Sequence, residues 1–411
     1  MSASLRPVAR RSLPELEPVA ATPSWAPALL AKGFRPFFLL AALFAIAIVP
    51  LWLFVLDGTL QVGSRLAPMT WHAHEMLFGF VGAVLAGFLL TAAGNWTQRE
   101  TLTGAPLLVL AALWCAGRLA LLGSAYLPAA FIALTDLSFW VVLLGVLGRT
   151  LIAAGSRRNW KILGILAALL LANAGYHLEA VGVLPVGFAQ RATLLGVDLV
   201  LLLISIVAGR TFPTFTRNAT GVKSIRSVPV LDGLAIGALC VMVALDALSP
   251  ASSGAALLAG GAGVLSFARA MTWGARYSLR QPLLWILHAG YAWLALGLLF
   301  RGLASLSGAS SSSLALHTLT VGAIGSLTLG MMARVSLGHT GRMLGASPGT
   351  SAAFAAITLA TLVRVFVPLF APSWYFASLV AAGSLWVAAF ALFIRVYWPI
   401  LSSARVDGRP G

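Results

Sequence analysis

An all-α, polytopic membrane fold of about twelve helices is what this sequence predicts, and three observations carry the prediction. Hydrophobic residues fill 60% of its 411 positions and charged residues only 9%, far from the composition of soluble domains. Apolar stretches long enough to cross hydrocarbon, at about 1.5 Å per helical residue, recur along the whole chain. Basic residues fall on alternate sides of those stretches, as the short loops of a membrane protein require.

Taken in order, residues 1–30 contain Pro7, Pro14, Pro18, Pro23 and Pro27 and no apolar signal core. They read as a disordered cytoplasmic lead-in. Residues 31–400 read as one membrane domain, with spans near 37–56, 72–93, 106–123, 128–148, 160–180, 190–209, 229–248, 255–273, 282–303, 314–335, 351–370 and 374–398. Gly, Pro or an internal Arg shortens the third, sixth and eighth of these. Residues 401–411 form a short cytoplasmic tail.

With the N-terminus inside, 22 of the 27 Lys and Arg residues collect on the cytoplasmic side. Only Arg65, Arg118, Arg191, Arg301 and Arg364 remain for the outer half. Both termini are therefore expected in the cytoplasm. The net charge of +16 is a topology signal that also attracts anionic headgroups of the lipid bilayer. Without a soluble basic domain, nucleic-acid binding is excluded. Cys115 and Cys240 lie in separate spans and read as packing residues, since they form neither a CxxC pair nor a disulfide framework.

All six histidines fall in or at the rim of a span, where ionisable groups are costly and persist mainly when they function. The predicted topology puts His72, His74, His177 and His317 in the outer leaflet, His288 about two turns into the ninth span from the inside, and His339 at the inner rim after the tenth. Residues i and i+2 on an α-helix point roughly 200° apart, so His72 and His74 serve two different sites. Glu75 and Met76 follow on the His72 face, and Phe78 lies beside His74. A single rim histidine is more often a hydrogen-bonded interfacial residue than a ligand, but four in one leaflet favour ligation. Neutral imidazole suits haem iron and copper alike.

Arg118, Arg301 and Arg364 point to the outer half, where they would pair propionates or snorkel to headgroups. Glu75, Asp136 and Asp198 have no basic neighbour in sequence and would be protonated in hydrocarbon unless paired, which makes them candidates for a proton path. Tyr176, next to His177, and Tyr291, after His288, read as packing or belt residues. A weak internal repeat near 123 residues relates spans 1–4, 5–8 and 9–12 in a pseudo-threefold arrangement: Glu75 and Asp198 are 123 apart, and His72 and His317 are 245 apart. On this repeat, spans 2, 6 and 10 are equivalent.

Four segments together resemble the NnrS family from about residue 30 to the C-terminus. They are Lys32-Gly33-Phe34-Arg35-Pro36-Phe37-Phe38 before the first span, Trp71-His72-Ala73-His74-Glu75-Met76-Leu77-Phe78-Gly79 at the start of the second, Gly209-Arg210-Thr211-Phe212-Pro213 at the exit of the sixth, and the stretch from Leu316-His317 to His339-Thr340-Gly341-Arg342. The resemblance implies a twelve-span bacterial inner-membrane protein that contains haem and copper and acts in the response to nitric oxide and nitrosative stress, as in denitrification. A weaker likeness to the haem-copper oxidase core fails in detail. The sixth span has no histidine, the seventh no histidine pair, and the tenth one where that core has two.

The expected site therefore has His72 and His317 on haem, His74 and His177 as further metal ligands, and His288 in a second site. Nitric oxide is the expected small-molecule ligand, with a membrane or periplasmic electron donor, and whether the protein turns nitric oxide over stays open. The rival is a transporter of haem, copper or a nitrosylated small molecule. Gly-rich stretches 254–263 and 322–330 suit it, but neither inverted halves nor a matched pair of Gly/Pro-broken spans is evident.

Overall fold

The computed structural model describes residues 28–249, 252–307 and 312–409, and among these it is helical throughout, without a strand. Most of the expected lead-in therefore lies outside the described residues. Residues Ala28–Leu30 form one 3-10 turn, and Leu30 is buried.

Twelve helices are long and apolar enough to cross a membrane, as the composition predicted. They are α1 (Phe34–Leu56), α2 (Pro68–Thr97), α3 (Gly104–Leu122), α4 (Ala129–Ala153), α5 (Arg157–Ala180), α6 (Phe188–Thr220), α7 (Pro229–Leu248), α8 (Ser253–Met271), α9 (Pro282–Ser305), α10 (Ser313–His339), α11 (Pro348–Phe370) and α12 (Pro372–Leu401). Consecutive helices pack side by side and α12 returns to α1, which closes a ring. The apolar stretches of α2, α6 and α10 are the most buried of the twelve, and α2 also meets α6 and α10. These three helices form the interior, the placement expected if they are equivalent. Their residues Val84, Leu203 and Leu327 surround a small apolar cavity of about 70 Å³.

An even number of crossings puts both ends of the described chain on one side of the bundle, called here the terminal side. Arg35, fully buried at the start of α1, joins those ends by donating to the carbonyls of Leu401 (2.8 Å) and Ser403 (2.6 Å). These carbonyls close α12, where a cation is favoured by the helix dipole. Phe34 N–H donates to Thr91 Oγ1 of α2 at 3.3 Å, so the Lys32–Phe38 motif ties α1, α2 and α12 together. The residues after α12 do not hang free: Val406 N–H donates to the Thr340 carbonyl (3.2 Å) and Arg405 to that of His339 (2.9 Å). Arg405 also pairs with Asp407 at 2.5 Å, which holds that carboxyl below the usual carboxylate range.

The sixth helix departs from its predicted end. Instead of leaving at Gly209–Pro213, it continues to Thr220. Proline inside a helix removes one N–H and strands the carbonyl four residues earlier. Here that carbonyl belongs to Gly209, and Ser227 Oγ, on the segment leading to α7, donates to it at 3.2 Å. The helix survives because the lost bond is replaced from outside.

Small residues let α8 and α9 cross closely, the usual means of packing helices in lipid. A Cβ on Gly302 would lie 2.7 Å from Gly260 Cα, and one on Gly263 would lie 2.7 Å from the Ala295 carbonyl oxygen. We expect Gly263→Ala and Gly302→Val each to destabilise the bundle by about 1–3 kcal/mol, the usual cost of overpacking. Thermal unfolding in detergent checks this, and unchanged midpoints would mean that the two backbones do not touch.

Candidate metal centre

The second helix is not a regular α-helix. After His74 it widens into a π-helical segment, Glu75–Val81, and α10 does the same directly after His317, at Thr318–Gly325. Such segments are rare and occur often at functional sites. Each therefore begins one residue after a histidine, and the two histidines are 243 residues apart. The structural repeat thus aligns His317 with His74 rather than with His72. A matched pair of helix irregularities, which the sequence did not reveal, is present in α2 and α10.

Around His74 the irregular turn gathers a polar cluster from four helices. Its Nε2 lies 2.7 Å from Asn173 Oδ1 of α5 and 3.4 Å from Asp136 Oδ2 of α4, and its Nδ1 lies 3.2 Å from Glu75 Oε1. His177 Nε2 of α5 is 3.0 Å from the same Asp136 oxygen, to which Asn173 Nδ2 also donates at 2.8 Å. Donor atoms of His74, Asp136 and His177 all lie within 4.8 Å of one another. Among the described residues, no other three or more His, Cys, Asp or Glu side chains converge in this way. The walls are Phe78 and Tyr176, whose rings stand 5.1 and 4.9 Å from that of His74.

Arg118 of α3 organises this cluster. It donates to Glu75 Oε1 at 2.8 Å and makes a short contact with Asp136 Oδ1, so Asp136 keeps its other oxygen for the imidazoles. Gly79 makes room: a Cβ there would sit 3.0 Å from Arg118 Nη1 and 2.9 Å from the Phe44 ring. The indole N–H of Trp114 donates to the Gly79 carbonyl within the widened segment, at 3.0 Å. Arg118 therefore pairs with two acids through its terminal nitrogens, and Glu75 and Asp136 are paired rather than isolated in hydrocarbon. Glu75 belongs with His74, not with the His72 face, because its Oε1 meets both His74 Nδ1 and the Arg118 guanidinium.

A second cluster repeats the design. Arg301 of α9 lies 2.9 Å from Asp198 Oδ1 of α6 and 2.6 Å from Asp246 Oδ2 of α7. Asp198 is thus paired as well, and both terminal nitrogens of Arg301 meet carboxylates. Asp246 had not been singled out, although the rule that flagged Asp198, a carboxylate within a predicted span, applies to it equally.

His72 points elsewhere, as its two-residue offset from His74 requires. Its ring stacks on Trp52 of α1 (centroids 4.4 Å apart, 13° between planes), and its buried Nδ1 has no hydrogen-bond partner among the described residues. His317 and Arg364 lie near enough to act electrostatically on His72. His317 Nδ1 lies 2.8 Å from the Ser313 carbonyl, so that nitrogen carries the proton and Nε2 accepts from Arg364 Nη2 at 3.2 Å. Arg364 also lies over the Tyr375 ring.

His288 and His339 join neither group. His288 Nε2 lies 2.9 Å from Thr216 Oγ1 of α6, which satisfies it locally. His339 is the last residue of α10 rather than part of a loop, 3.4 Å from the Asn95 amide and against the Phe34 ring. Tyr176 is a buried wall that bonds Thr193, and Tyr291 bonds Ser205 and Arg269. Cys115 is half-buried and Cys240 exposed, and neither is disulfide-bonded.

A protein-family model described as NnrS protein matches residues 28–405, nearly the whole chain. The chain belongs to the NnrS family. No curated protein matches it. All four motifs that carried the resemblance fall within the matched region, and each has a distinct place in this NnrS-family structure. Lys32–Phe38 is the clasp of the terminal side, Trp71–Gly79 leads into the widened turn, Gly209–Pro213 is the proline-bearing stretch of α6, and His317 opens the second widened turn.

Removing one member of a buried ion pair leaves an uncompensated charge and costs about 3–5 kcal/mol. Arg118→Met and Arg301→Met should each lower thermal stability on that scale. Replacing Asp198 and Asp246 by Asn alongside Arg301→Met should recover much of the loss. Melting curves of the single and triple variants test this, and a single variant that melts like the parent would mean the pairing is absent.

Proposed function

We propose that the protein is a haem- and copper-binding inner-membrane protein of the bacterial response to nitric oxide and nitrosative stress. The observation that carries the reading is the convergence of His74, His177 and Asp136 on one buried point. Two imidazoles and a carboxylate suit copper, and Asn173, Glu75 and Arg118 hold those donors in place from behind. The charges agree. Glu75 and Asp136 carry two negative charges against the single positive charge of Arg118, and a bound cation would offset the remainder.

His72 and His317 are the haem ligands in this reading. The orphaned Nδ1 of His72 is the kind of buried polar atom that a missing group explains, and Arg364 beside His317 supplies a fork for a propionate. Bound haem and copper would supply redox chemistry for a small diatomic such as nitric oxide. The chain's own residues bind and orient: Trp52 fixes the His72 ring, Phe78 and Tyr176 keep water from His74, and Asp136 and Glu75 are placed to hold a proton beside His74. An electron donor in or beside the membrane completes this reading. The excess of Lys and Arg on the terminal side orients it toward the cytoplasm, with both termini inside and the histidine groups near the periplasm.

The transport reading, with haem, copper or a nitrosylated small molecule as cargo, is favoured by one observation. The matched π segments of α2 and α10 flank the interior where α2, α6 and α10 meet. Tightly held stoichiometric metal after purification favours the redox reading, and loosely held metal favours transport.

We expect His74→Ala and His177→Ala to lose copper while retaining haem, and His72→Ala and His317→Ala to lose the Soret band. Metal analysis and ultraviolet-visible spectra of monodisperse protein provide the check. Retention of both metals by all four variants would overturn the assignment. Fully metallated protein given an electron donor should consume nitric oxide in an electrode chamber, and no consumption would leave sensing or transport.

A further inference from the structure

The Gly209–Pro213 motif contributes no side chain to either histidine group. It forms one wall of a half-open cavity of about 380 Å³ between α5, α6, α7 and α8 near the terminal side. That volume falls within the roughly 300–1,000 Å³ typical of small-molecule sites. Five basic side chains line the cavity, Arg158, Lys161, Arg210, Arg217 and Arg269, against a single carboxylate, Asp232.

The carboxylate is already taken. Arg269, buried at 1% exposure, donates from Nε to Asp232 at 2.9 Å, from Nη1 to Ser205 Oγ at 2.7 Å and from Nη2 to the Ser205 carbonyl at 3.2 Å. Ser227 Oγ makes a short contact with the other Asp232 oxygen. Gly209 permits this arrangement, because a Cβ there would fall 2.1 Å from Arg269 Nη2.

Arg158, Lys161, Arg210 and Arg217 are left facing the cavity. Among the described residues, none of the four lies within 4.0 Å of a carboxylate. Arg210 is aimed by Asn159 Oδ1 (2.8 Å) and the Arg158 carbonyl (3.3 Å), and Arg217 by the Ile225 carbonyl (3.3 Å). Guanidinium groups oriented by neutral acceptors around an open volume, with no anion of their own, are built for a phosphate. The position also fits, since basic pockets between spans near the membrane surface take phospholipid headgroups.

We propose that this cavity binds a phosphate-bearing anion, with Arg158, Lys161, Arg210 and Arg217 as its cationic ligands. The phosphate belongs to an anionic lipid headgroup or to a soluble phosphate ester, and the test separates the two. The full-length protein is placed in phosphatidylcholine nanodiscs with or without phosphatidylglycerol, and retained phosphatidylglycerol is counted by native mass spectrometry. Inorganic phosphate and glycerol 3-phosphate are titrated calorimetrically into the phosphatidylcholine discs.

Arg158→Gln with Lys161→Gln changes two exposed side chains, so the fold is preserved, and Arg217→Gln is an independent second variant. Arg280→Gln, an exposed charge outside the cavity, controls for bulk electrostatics. Binding of at least one of the probes should weaken by about tenfold or more in the double variant and in Arg217→Gln, and stay unchanged in Arg280→Gln. Retained phosphatidylglycerol with no calorimetric signal identifies a lipid site, and the reverse identifies a soluble ester. Binding that is absent, or equal in the parent and cavity variants, or equally weakened by Arg280→Gln, overturns the proposal.

Discussion

Within the apolar interior of this bundle, the bridge that Arg118 makes between Glu75 and Asp136 is the interaction on which the candidate centre depends. A buried ion pair gives little net stability compared with apolar packing, because desolvation consumes most of the attraction. Its value lies in position. Glu75 is on α2, Arg118 on α3 and Asp136 on α4, so one guanidinium sets three helices against each other. By holding one oxygen of Asp136, it also turns the other toward His74, His177 and Asn173. The Asp198–Arg301–Asp246 group does the same for α6, α9 and α7.

The two histidine groups differ in electrostatic character, and that difference separates their chemistry. Both nitrogens of His74 face oxygen acceptors, and the local carboxylates outnumber the single guanidinium. That environment favours a cation, whether a proton or a metal ion. His72 and His317 instead have Arg364 as their ionic neighbour. A positively charged surrounding disfavours a bare metal cation and favours a group that brings its own negative charge. In the proposed reading, that is what favours a porphyrin with propionates over a bare copper ion there.

Much of this was legible in the sequence, for reasons that also explain what was not. Hydropathy marks spans because lipid demands helices with satisfied backbones, and the 100° step of the helix separates His72 from His74 without any coordinates. Pairing across helices is different in kind: Glu75, Arg118 and Asp136 are distant in sequence, and nothing in their spacing announces that they meet. Asn173 did leave a trace, since it sits four residues before His177 and shares its helix face. The length of α6 was hidden because Pro213 normally ends a helix, and only a hydroxyl from a later segment, Ser227, removes the reason to stop. The return of the C-terminal residues to Thr340 was hidden in the same way, since the acceptor there is a backbone carbonyl with no sequence signature.

The matched widening of α2 and α10 bears on how the centre arose within one chain. A π segment that begins one residue after a histidine in two of the three helices related by the repeat would be an odd coincidence in unrelated segments, because an extra residue in a helix turn shifts every later side chain around the axis. The shared backbone device fits the repeat that relates helices 1–4 to helices 9–12. The two differ in chemistry at the next position. Glu75 follows His74 and recruits Arg118, whereas Thr318 follows His317 and bonds back to the Leu314 carbonyl at 2.8 Å. With no acid to hold it, Arg364 turns to the imidazole itself. Glu75 and Asp136 make the surroundings of His74 acidic, whereas the ionic partner of His317 among the described residues is a guanidinium.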